Sequence, residues 1–203
     1  MVKIFKGLII FLSLIIANPL LDMLPPDNYD SWKVLDKNEI KIEYTDDFDI
    51  PWCRATTVFP FSLEEIYFTL KDLPNYKNIF GRVTQSDLLD LNIVYIRLDM
   101  PYFLYDRDYT VKYIEEERDG SVFFKFHSVV HPSASKYYGA VNLPRASGQW
   151  ILTSLSENTC KVTYIWNGEL LGSFPSMSLH TAWQEQGSEV LGWLSNYINE
   201  KGD

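Results

Sequence analysis

The sequence predicts a single α+β domain in which a curved antiparallel β-sheet wraps around a long C-terminal α-helix and leaves an internal cavity. Two observations indicate this architecture. Between residues 82 and 170, strand-like segments follow one another with short turns, which is typical of an antiparallel sheet. The last segment, Ser176–Asn199, instead repeats its apolar residues at the spacing of an amphipathic helix.

The first elements of the domain precede this run of strands. Glu39–Tyr44 alternates apolar and charged residues, and Arg54–Phe59 is rich in β-branched residues, so both segments are predicted strands. Ser62 and Glu65 have the spacing of a capping box, which predicts the start of a helix that Pro74 ends. Further strands are predicted at Arg82–Leu89, Asn92–Asp99, Arg107–Glu115, Ser121–Val130, Gly148–Leu155 and Thr159–Leu170.

The C-terminal helix carries one apolar stripe with a glycine in the middle. A glycine at position 187 makes the helix less stable than alanine would, by about 1 kcal/mol. We therefore expect a packing or functional requirement at this position. Gly187 either leaves room for a molecule that faces the helix or lets the helix pack closely against the sheet. The stripe consists of Leu179, Trp183, Gly187, Val190, Leu194 and Ile198.

Composition and charge exclude several functions. A net charge of −9 repels nucleic acid and anionic membrane surfaces, so nucleic acid is not an expected partner. The three histidines are scattered, and we find no hydrolase, phosphate-loop or metalloprotease motif, so neither a metal nor a cofactor is expected. The two cysteines, Cys53 and Cys160, are interpreted as separate buried thiols, although export would permit a disulfide.

The N-terminus predicts export. Lys3 and Lys6 precede the apolar run Gly7–Ala17, which matches a secretory signal peptide and is short for a membrane span. Ile15 is a poor residue for the cleavage site, so an uncleaved N-terminal anchor remains an alternative. The expected location is therefore periplasmic or secreted, with a leader over 1–17, a proline-containing tether over 18–28 and the domain over 29–200.

Alternation along the strands points a set of aromatic side chains toward the helix. Tyr109 and Tyr113 alternate with polar residues, and the same holds for Phe124 and Phe126. Large side chains with polar tips suit an amphipathic ligand, whereas the alternative is a solid aromatic core. The predicted ligand-binding residues are Arg107, Tyr109, Tyr113, Phe124, Phe126, Tyr164, Trp166, Met177 and Trp183.

Arg107 shares the inward parity of Tyr109 and therefore needs acceptors if it is buried. One interpretation is an anchor for a ligand carboxylate or phosphate. The others are a structural ion pair or a solvated strand end. Its candidate ion-pair partners are Asp106, Asp99 and Glu169.

The segment between residues 131 and 144 is long for a connection between neighbouring strands. Its small residues suit a mobile lid over the cavity, and the alternative is an ordinary surface loop. His127 precedes this segment on the outer face of the sheet, where it is expected to be exposed or bonded to the loop. The predicted lid residues are His131, Pro132, Tyr137, Tyr138 and Gly139.

A series of short motifs then suggests a family. They are Trp32 before Ile40–Tyr44, Asp72-Leu73-Pro74 with Tyr76, Tyr105–Tyr109, His127–Pro132 and Gly172–Pro175. In this order they resemble START domains, the steroidogenic-acute-regulatory-related lipid transfer family with its helix-grip fold. The resemblance covers Trp32 to Ile198. It implies binding of a lipid or other hydrophobic small molecule, as a carrier or a sensor, and leaves the ligand class open. A monomer that contacts membranes transiently is a separate expectation.

The chain also departs from that family. Val141 is followed by Asn142, where the family often has an arginine. Tyr113 and Val94 stand where the resemblance places the buried arginine and acid of cholesterol-binding members, so a sterol gains no support. The alternative function is that of the related helix-grip cyclases and dehydratases, which act on polyketide-like substrates. Its candidate acid–base residues are Arg107, Tyr109 and Tyr164.

Overall fold

The computed structural model describes residues 23–101, 104–135, 137–172 and 174–202, except for the side chain of Met177. The predicted leader over 1–17 lies outside these residues. The strands are β1 (Lys33–Lys37), β2 (Lys41–Thr45), β3 (Trp52–Phe59), β4 (Val83–Asp90), β5 (Ile93–Leu98), β6 (Asp106–Arg118), β7 (Ser121–Ser128), β8 (Ala140–Asn142), β9 (Ser147–Ser156) and β10 (Thr159–Asn167). The α-helices are α1 (Leu63–Lys71), α2 (Tyr76–Ile79) and α3 (Leu179–Gly202), and 3₁₀ turns occupy Leu73–Asn75 and Ser176–Ser178.

The strands form one 10-stranded sheet in the order β1-β2-β3-β10-β9-β7-β6-β5-β4, with β8 beside β6. Neighbours in that order pair antiparallel, so the predicted α+β class and the C-terminal helix are confirmed. Two strands were missed. β1 lies at one edge, and β8 pairs parallel with the start of β6, opposite Arg107. No described helix has the length and apolar character needed to cross a membrane.

The capping box at the start of α1 is confirmed. The Ser62 hydroxyl accepts from the Glu65 backbone N–H at 3.2 Å, and the Glu65 carboxylate accepts from the Ser62 N–H at 2.8 Å. The Ser62 hydroxyl also donates to the Glu65 carboxylate at 2.7 Å, and this bond and the one from the Ser62 N–H lower the pKa of the Glu65 carboxyl. They fix the direction in which α1 leaves β3, and the helix then buries Ile66 and Leu70 in the core.

Helix α3 packs against the middle of the sheet at Gly187. A Cβ atom at this position would lie 2.6 Å from Cδ1 of Ile42 and 3.1 Å from a ring carbon of Trp166. The close-packing interpretation of Gly187 is therefore correct. We call the face of the sheet that contacts α3 the inner face.

Residues 23–32, named here the N-terminal strap, cross the outer face. Met23, Leu24 and Trp32 pack against a second apolar cluster that contains Trp52 and Ile165. The strap is also held by polar contacts, an ion pair between Asp27 and Arg118 and hydrogen bonds of Tyr29 to Thr45 and Asp47. The described part of the predicted tether is thus packed on the domain.

The two cysteines are separate buried thiols, as predicted. Cys53 stands opposite Trp166 and Cys160 opposite Phe59, which are far apart along the β3–β10 ladder. Burial raises the pKa of the Cys160 thiol to about 11. Burial also raises the pKa of the Cys53 thiol.

Candidate ligand pocket

A cavity of about 400 Å³ lies between the inner face of the sheet and α3. Side chains of β5, β6, β7, β9, β10 and α3 form its walls, and apolar atoms make up most of its surface. Pro101 and Leu171 line one end and are exposed, so the cavity opens to solvent there. A pocket of this size is within the range of small-molecule sites in proteins.

The structure brings most of the predicted ligand-binding residues together. Those that line the cavity are Arg107, Tyr109, Tyr113, Phe126, Tyr164 and Trp166. Phe124 is absent from the lining because it lies behind Tyr113, with the two rings stacked 4.5 Å apart. Trp183 is also absent, because its indole N–H donates to the Gly168 carbonyl at 2.8 Å. The Met177 side chain is outside the described part of the chain.

Aromatic rings stack into one wall of the cavity. Tyr164 lies between Trp150, at a ring-centroid distance of 4.3 Å, and Trp166, at 4.9 Å. Phe80 extends the stack from Trp150 at 6.3 Å. Because each ring is fixed by the next, the wall is a rigid flat surface for an apolar ligand. The sequence prediction missed Phe80 and Trp150, although Trp150 shares the inward parity of its strand.

The predicted lid residues lie elsewhere. None of His131, Pro132, Tyr137, Tyr138 and Gly139 lines the cavity. Tyr137 instead packs under the guanidinium of Arg97, at 4.4 Å from the ring centroid. Arg97 alternates with the inward-facing Ile96 and Leu98, so this contact is on the outer face. Tyr138 is fully exposed.

Three other connections line the open end. They follow β5, β8 and β10, which finish at the same end of the sheet. The sequence prediction missed these residues, although apolar residues next to proline within a loop were a usable signal. The lining residues of these loops include Met100, Pro101, Leu104, Leu143, Leu170, Leu171 and Phe174.

His127 is on the outer face, as predicted, but it is only 3% exposed. The exposed interpretation is therefore wrong, and its Nδ1 atom lies 3.2 Å from the carbonyl oxygen of Ser128, the last residue of β7. Burial lowers the pKa of the His127 imidazole. The residue is separated from the cavity by the thickness of the sheet.

Arg107 is 2% exposed and donates to backbone carbonyls. Its Nε atom donates to Leu170 at 2.9 Å, one Nη atom donates to Leu171 at 3.1 Å, and the other donates to Tyr105. Leu171 has a φ of 47° and Gly172 a φ of 62°, so a left-handed turn follows the two loop carbonyls that Arg107 binds. Burial lowers the pKa of the Arg107 guanidinium.

Two of the three carboxylates expected beside Arg107 have other partners. Glu169 pairs with Arg145, and Asp106 lies 3.8 Å from Arg97. No salt bridge joins Arg107 to an acid within the described residues. Both the ion-pair and the solvated interpretations of Arg107 are therefore wrong. It is a structural residue that still contributes surface to the cavity.

Four tyrosines surround the cavity, and we call them the tyrosine cluster: Tyr76, Tyr109, Tyr113 and Tyr164. The Tyr76 hydroxyl donates to the carbonyl of Leu70 at 2.6 Å. Burial raises the pKa of every member, and neighbouring tyrosines raise the pKa values of Tyr113 and Tyr164 further, whereas a hydrogen bond with Tyr113 offsets part of the rise at Tyr76. All four are therefore neutral hydroxyl groups near pH 7.

No family model and no curated protein matches the sequence. Solved structures do match the fold. A STAR-related lipid transfer protein from Xanthomonas axonopodis is 21% identical over 84% of this chain and 99% of its own, with a TM-score of 0.72. Human STARD10 is 15% identical over 87% of this chain and 81% of its own, with a TM-score of 0.73. This chain has the START fold.

A catalytic protein shares the fold more distantly. The Zhui aromatase/cyclase from Streptomyces sp. R1128 is 11% identical over 75% of this chain and 95% of its own, with a TM-score of 0.52. The START fold therefore positions a cavity under the last helix but does not by itself specify what the cavity does.

Within this START fold, the tyrosine cluster contributes polar groups to the cavity wall, beside Ser147, Asn167, Thr181 and Gln186. Tyr113 and Val94, which stand at the positions expected for a buried arginine and acid, are both buried. Four charged side chains of the lining form two pairs: Arg145 binds Glu169, and Arg82 binds Glu189 through two contacts of 2.6 and 2.8 Å. The Arg82 pair links the start of β4 to α3.

Proposed function

We propose that the protein binds one lipid or other hydrophobic small molecule in the cavity under α3, as a carrier or a sensor. The observation that carries this proposal is the cavity of about 400 Å³, whose surface is mostly apolar and which opens to solvent at one end. Desolvation of apolar surface would drive binding, at roughly 25 cal/mol per Å² before the cost of ordering the ligand. The lipid-transfer proteins that share the fold support this function.

Native mass spectrometry of the purified protein tests the proposal. We expect a population that carries one extra small-molecule mass, which organic extraction then identifies. Bare protein alone, under conditions that preserve a control lipid complex, would contradict it.

Two variants of α3 separate a cavity ligand from a surface contaminant. Ala182 lines the cavity, so Ala182→Phe should fill it and abolish the extra mass. Ser188 is exposed on the same helix, so Ser188→Phe adds the same side chain outside the cavity and should leave the extra mass unchanged. A ligand that survives Ala182→Phe in a folded protein is bound elsewhere.

The alternative is a cyclase- or dehydratase-type enzyme, which the aromatase/cyclase neighbour favours. Tyr109 and Tyr164 would then be acid–base residues, since both reach the cavity. Burial raises the pKa of both hydroxyls above the ordinary tyrosine value, which moves them away from the working range of a general base at neutral pH. This argument favours binding over catalysis. If the protein turns over a polyketide-like substrate and Tyr109→Phe abolishes this activity, catalysis is favoured over binding.

We also propose that the protein is exported, on the strength of the basic and apolar N-terminus. Cell fractionation, followed by N-terminal sequencing of the purified protein, tests this. A mature chain that begins after Ala17 supports cleavage. An intact N-terminus in the membrane fraction supports the anchor, and an intact N-terminus in the cytoplasm contradicts export.

A further inference from the structure

The size of the cavity limits the ligand that fits. At about 400 Å³, the cavity is near the lower end of the roughly 300–1,000 Å³ range of small-molecule sites in proteins. A two-chain glycerophospholipid is larger than the drug-sized ligands that such sites enclose. A compact ligand with a small ring system or one short chain matches the space that the described residues enclose.

The tyrosine cluster gives this space a particular polarity. Within the described part of the chain, the hydroxyls of Tyr109 and Tyr164 have no hydrogen-bond partner, and both side chains line the cavity. They also lie close enough to Tyr76 and Tyr113 to influence their ionisation. Protein surrounds both side chains, yet each keeps some accessible surface. We attribute this surface to the part of each side chain that faces the cavity. A ligand oxygen there would satisfy hydroxyl groups that are otherwise desolvated.

The tyrosine cluster itself has no charge to offer a charged ligand. It consists of neutral hydroxyls, and Arg107, which binds the carbonyls of Leu170 and Leu171, places its charge at the open end of the cavity. Arg145 is paired with Glu169 near the open end. A carboxylate or phosphate placed among the tyrosines would lose its hydration without gaining a counter-charge, which is costly.

We infer that the ligand is a compact hydrophobic molecule with an uncharged hydroxyl or carbonyl oxygen, and that this oxygen hydrogen-bonds to Tyr109 and Tyr164 inside the cavity. The inference rests on the proposed function and narrows it to a ligand class. The inference excludes two-chain phospholipids and ligands whose charge would be buried among the tyrosines.

Three probes of one shape test the class: 2-naphthol, naphthalene and 2-naphthoate, each titrated into ligand-free protein by isothermal titration calorimetry at pH 7. We expect 2-naphthol to bind more tightly than 2-naphthoate. The variant carrying both Tyr109→Phe and Tyr164→Phe should bind 2-naphthol about tenfold more weakly, because the hydroxyl contacts are lost. Its affinity for naphthalene should change by less than about twofold.

A matched control is Tyr67→Phe. Tyr67 lies on α1, and its hydroxyl contacts Glu115 and Lys71 away from the cavity, so this variant should bind all three probes like the unmodified protein. Near-ultraviolet circular dichroism confirms that each variant is folded.

The outcomes separate this inference from the proposed function. An equal loss of affinity for 2-naphthol and naphthalene in the double variant would show that the tyrosines only shape the cavity. Binding of 2-naphthoate more tightly than 2-naphthol would show that the cavity prefers a charge. Either result overturns the inference. If no probe binds a protein from which native mass spectrometry detects a cavity lipid, the ligand class is wrong and the proposed function stands. If no probe binds and no lipid is detected, both fail.

Discussion

The Nε atom of Arg107 lies 2.9 Å from the carbonyl oxygen of Leu170. This hydrogen bond joins the start of β6 to the loop that leads from β10 into α3. The adjacent carbonyl of Leu171 accepts from the same guanidinium at 3.1 Å. Because α3 covers the cavity, Arg107 connects one wall of the cavity to the segment that positions its cover.

Removing this connection should destabilise the fold. We expect Arg107→Met to lower the free energy of unfolding by about 3 kcal/mol, since buried carbonyls lose a charged donor, and Arg107→Lys to lose somewhat less. Urea unfolding measures both. Arg118→Lys, at a partly exposed ion pair with Asp27, should change stability by less than about 0.5 kcal/mol. Unchanged stability of Arg107→Met together with lost ligand binding would support the ligand-anchor interpretation instead.

For Arg107, the sequence predicted the orientation of the side chain but not its hydrogen-bond acceptors. Strand parity predicted that it faces inward with Tyr109 and Tyr113, because side chains alternate along β6. The acceptors could not be predicted, since they are backbone carbonyls of Leu170 and Leu171, 63 and 64 positions away in sequence. Their placement depends on a left-handed turn at Leu171, a residue type that does not signal one.

Loops were predicted less well than strands because their structure depends on contacts between residues that are distant in sequence. Periodicity predicted most strands to within a few residues, but β8 has only three residues, Ala140–Asn142, and no periodicity to detect. The long segment that contains β8, residues 131–144, was interpreted as a lid because of its length and small residues. Tyr137 packs under Arg97 on the outer face instead, a contact set by tertiary packing that leaves no local sequence signal.

The N-terminal strap should contribute to the stability of the domain. Deleting residues 1–32 would expose Trp52 and Ile165, which are now buried beneath it. We expect a loss of roughly 2–4 kcal/mol, measured by urea unfolding, because two large apolar side chains become solvated. Deleting only residues 1–22 keeps the strap and serves as the control. Equal stability of the two truncated proteins would mean that residues 23–32 are a tether after all.

Two glycines should respond to alanine in opposite directions. A Cβ atom at Gly148 would lie 2.2 Å from the carbonyl oxygen of Ile165 and 2.7 Å from the ring of Phe126, so Gly148→Ala should cost about 2 kcal/mol or more. Gly192 has open space around it within α3, so Gly192→Ala should stabilise by up to about 1 kcal/mol. Thermal unfolding followed by circular dichroism measures both. A neutral Gly148→Ala would show that β9 and β10 can separate without cost.

The buried tyrosines should make the protein sensitive to alkali. Burial and the hydrogen bond to the Asp108 carboxylate raise the pKa of Tyr95 from 10.0 to about 12. Below pH 10 the hydroxyl is protonated in both states, and the stabilisation is complete. Between pH 10 and 12 the unfolded chain ionises first, so Tyr95 alone should remove about 2 kcal/mol by pH 12. The tyrosine cluster, whose pKa values are raised by burial, adds to this loss. Urea midpoints should fall steadily from pH 10 to pH 12, in step with tyrosinate absorbance at 295 nm. A flat midpoint over that range would mean that these hydroxyls ionise as easily in the folded protein as in the unfolded chain.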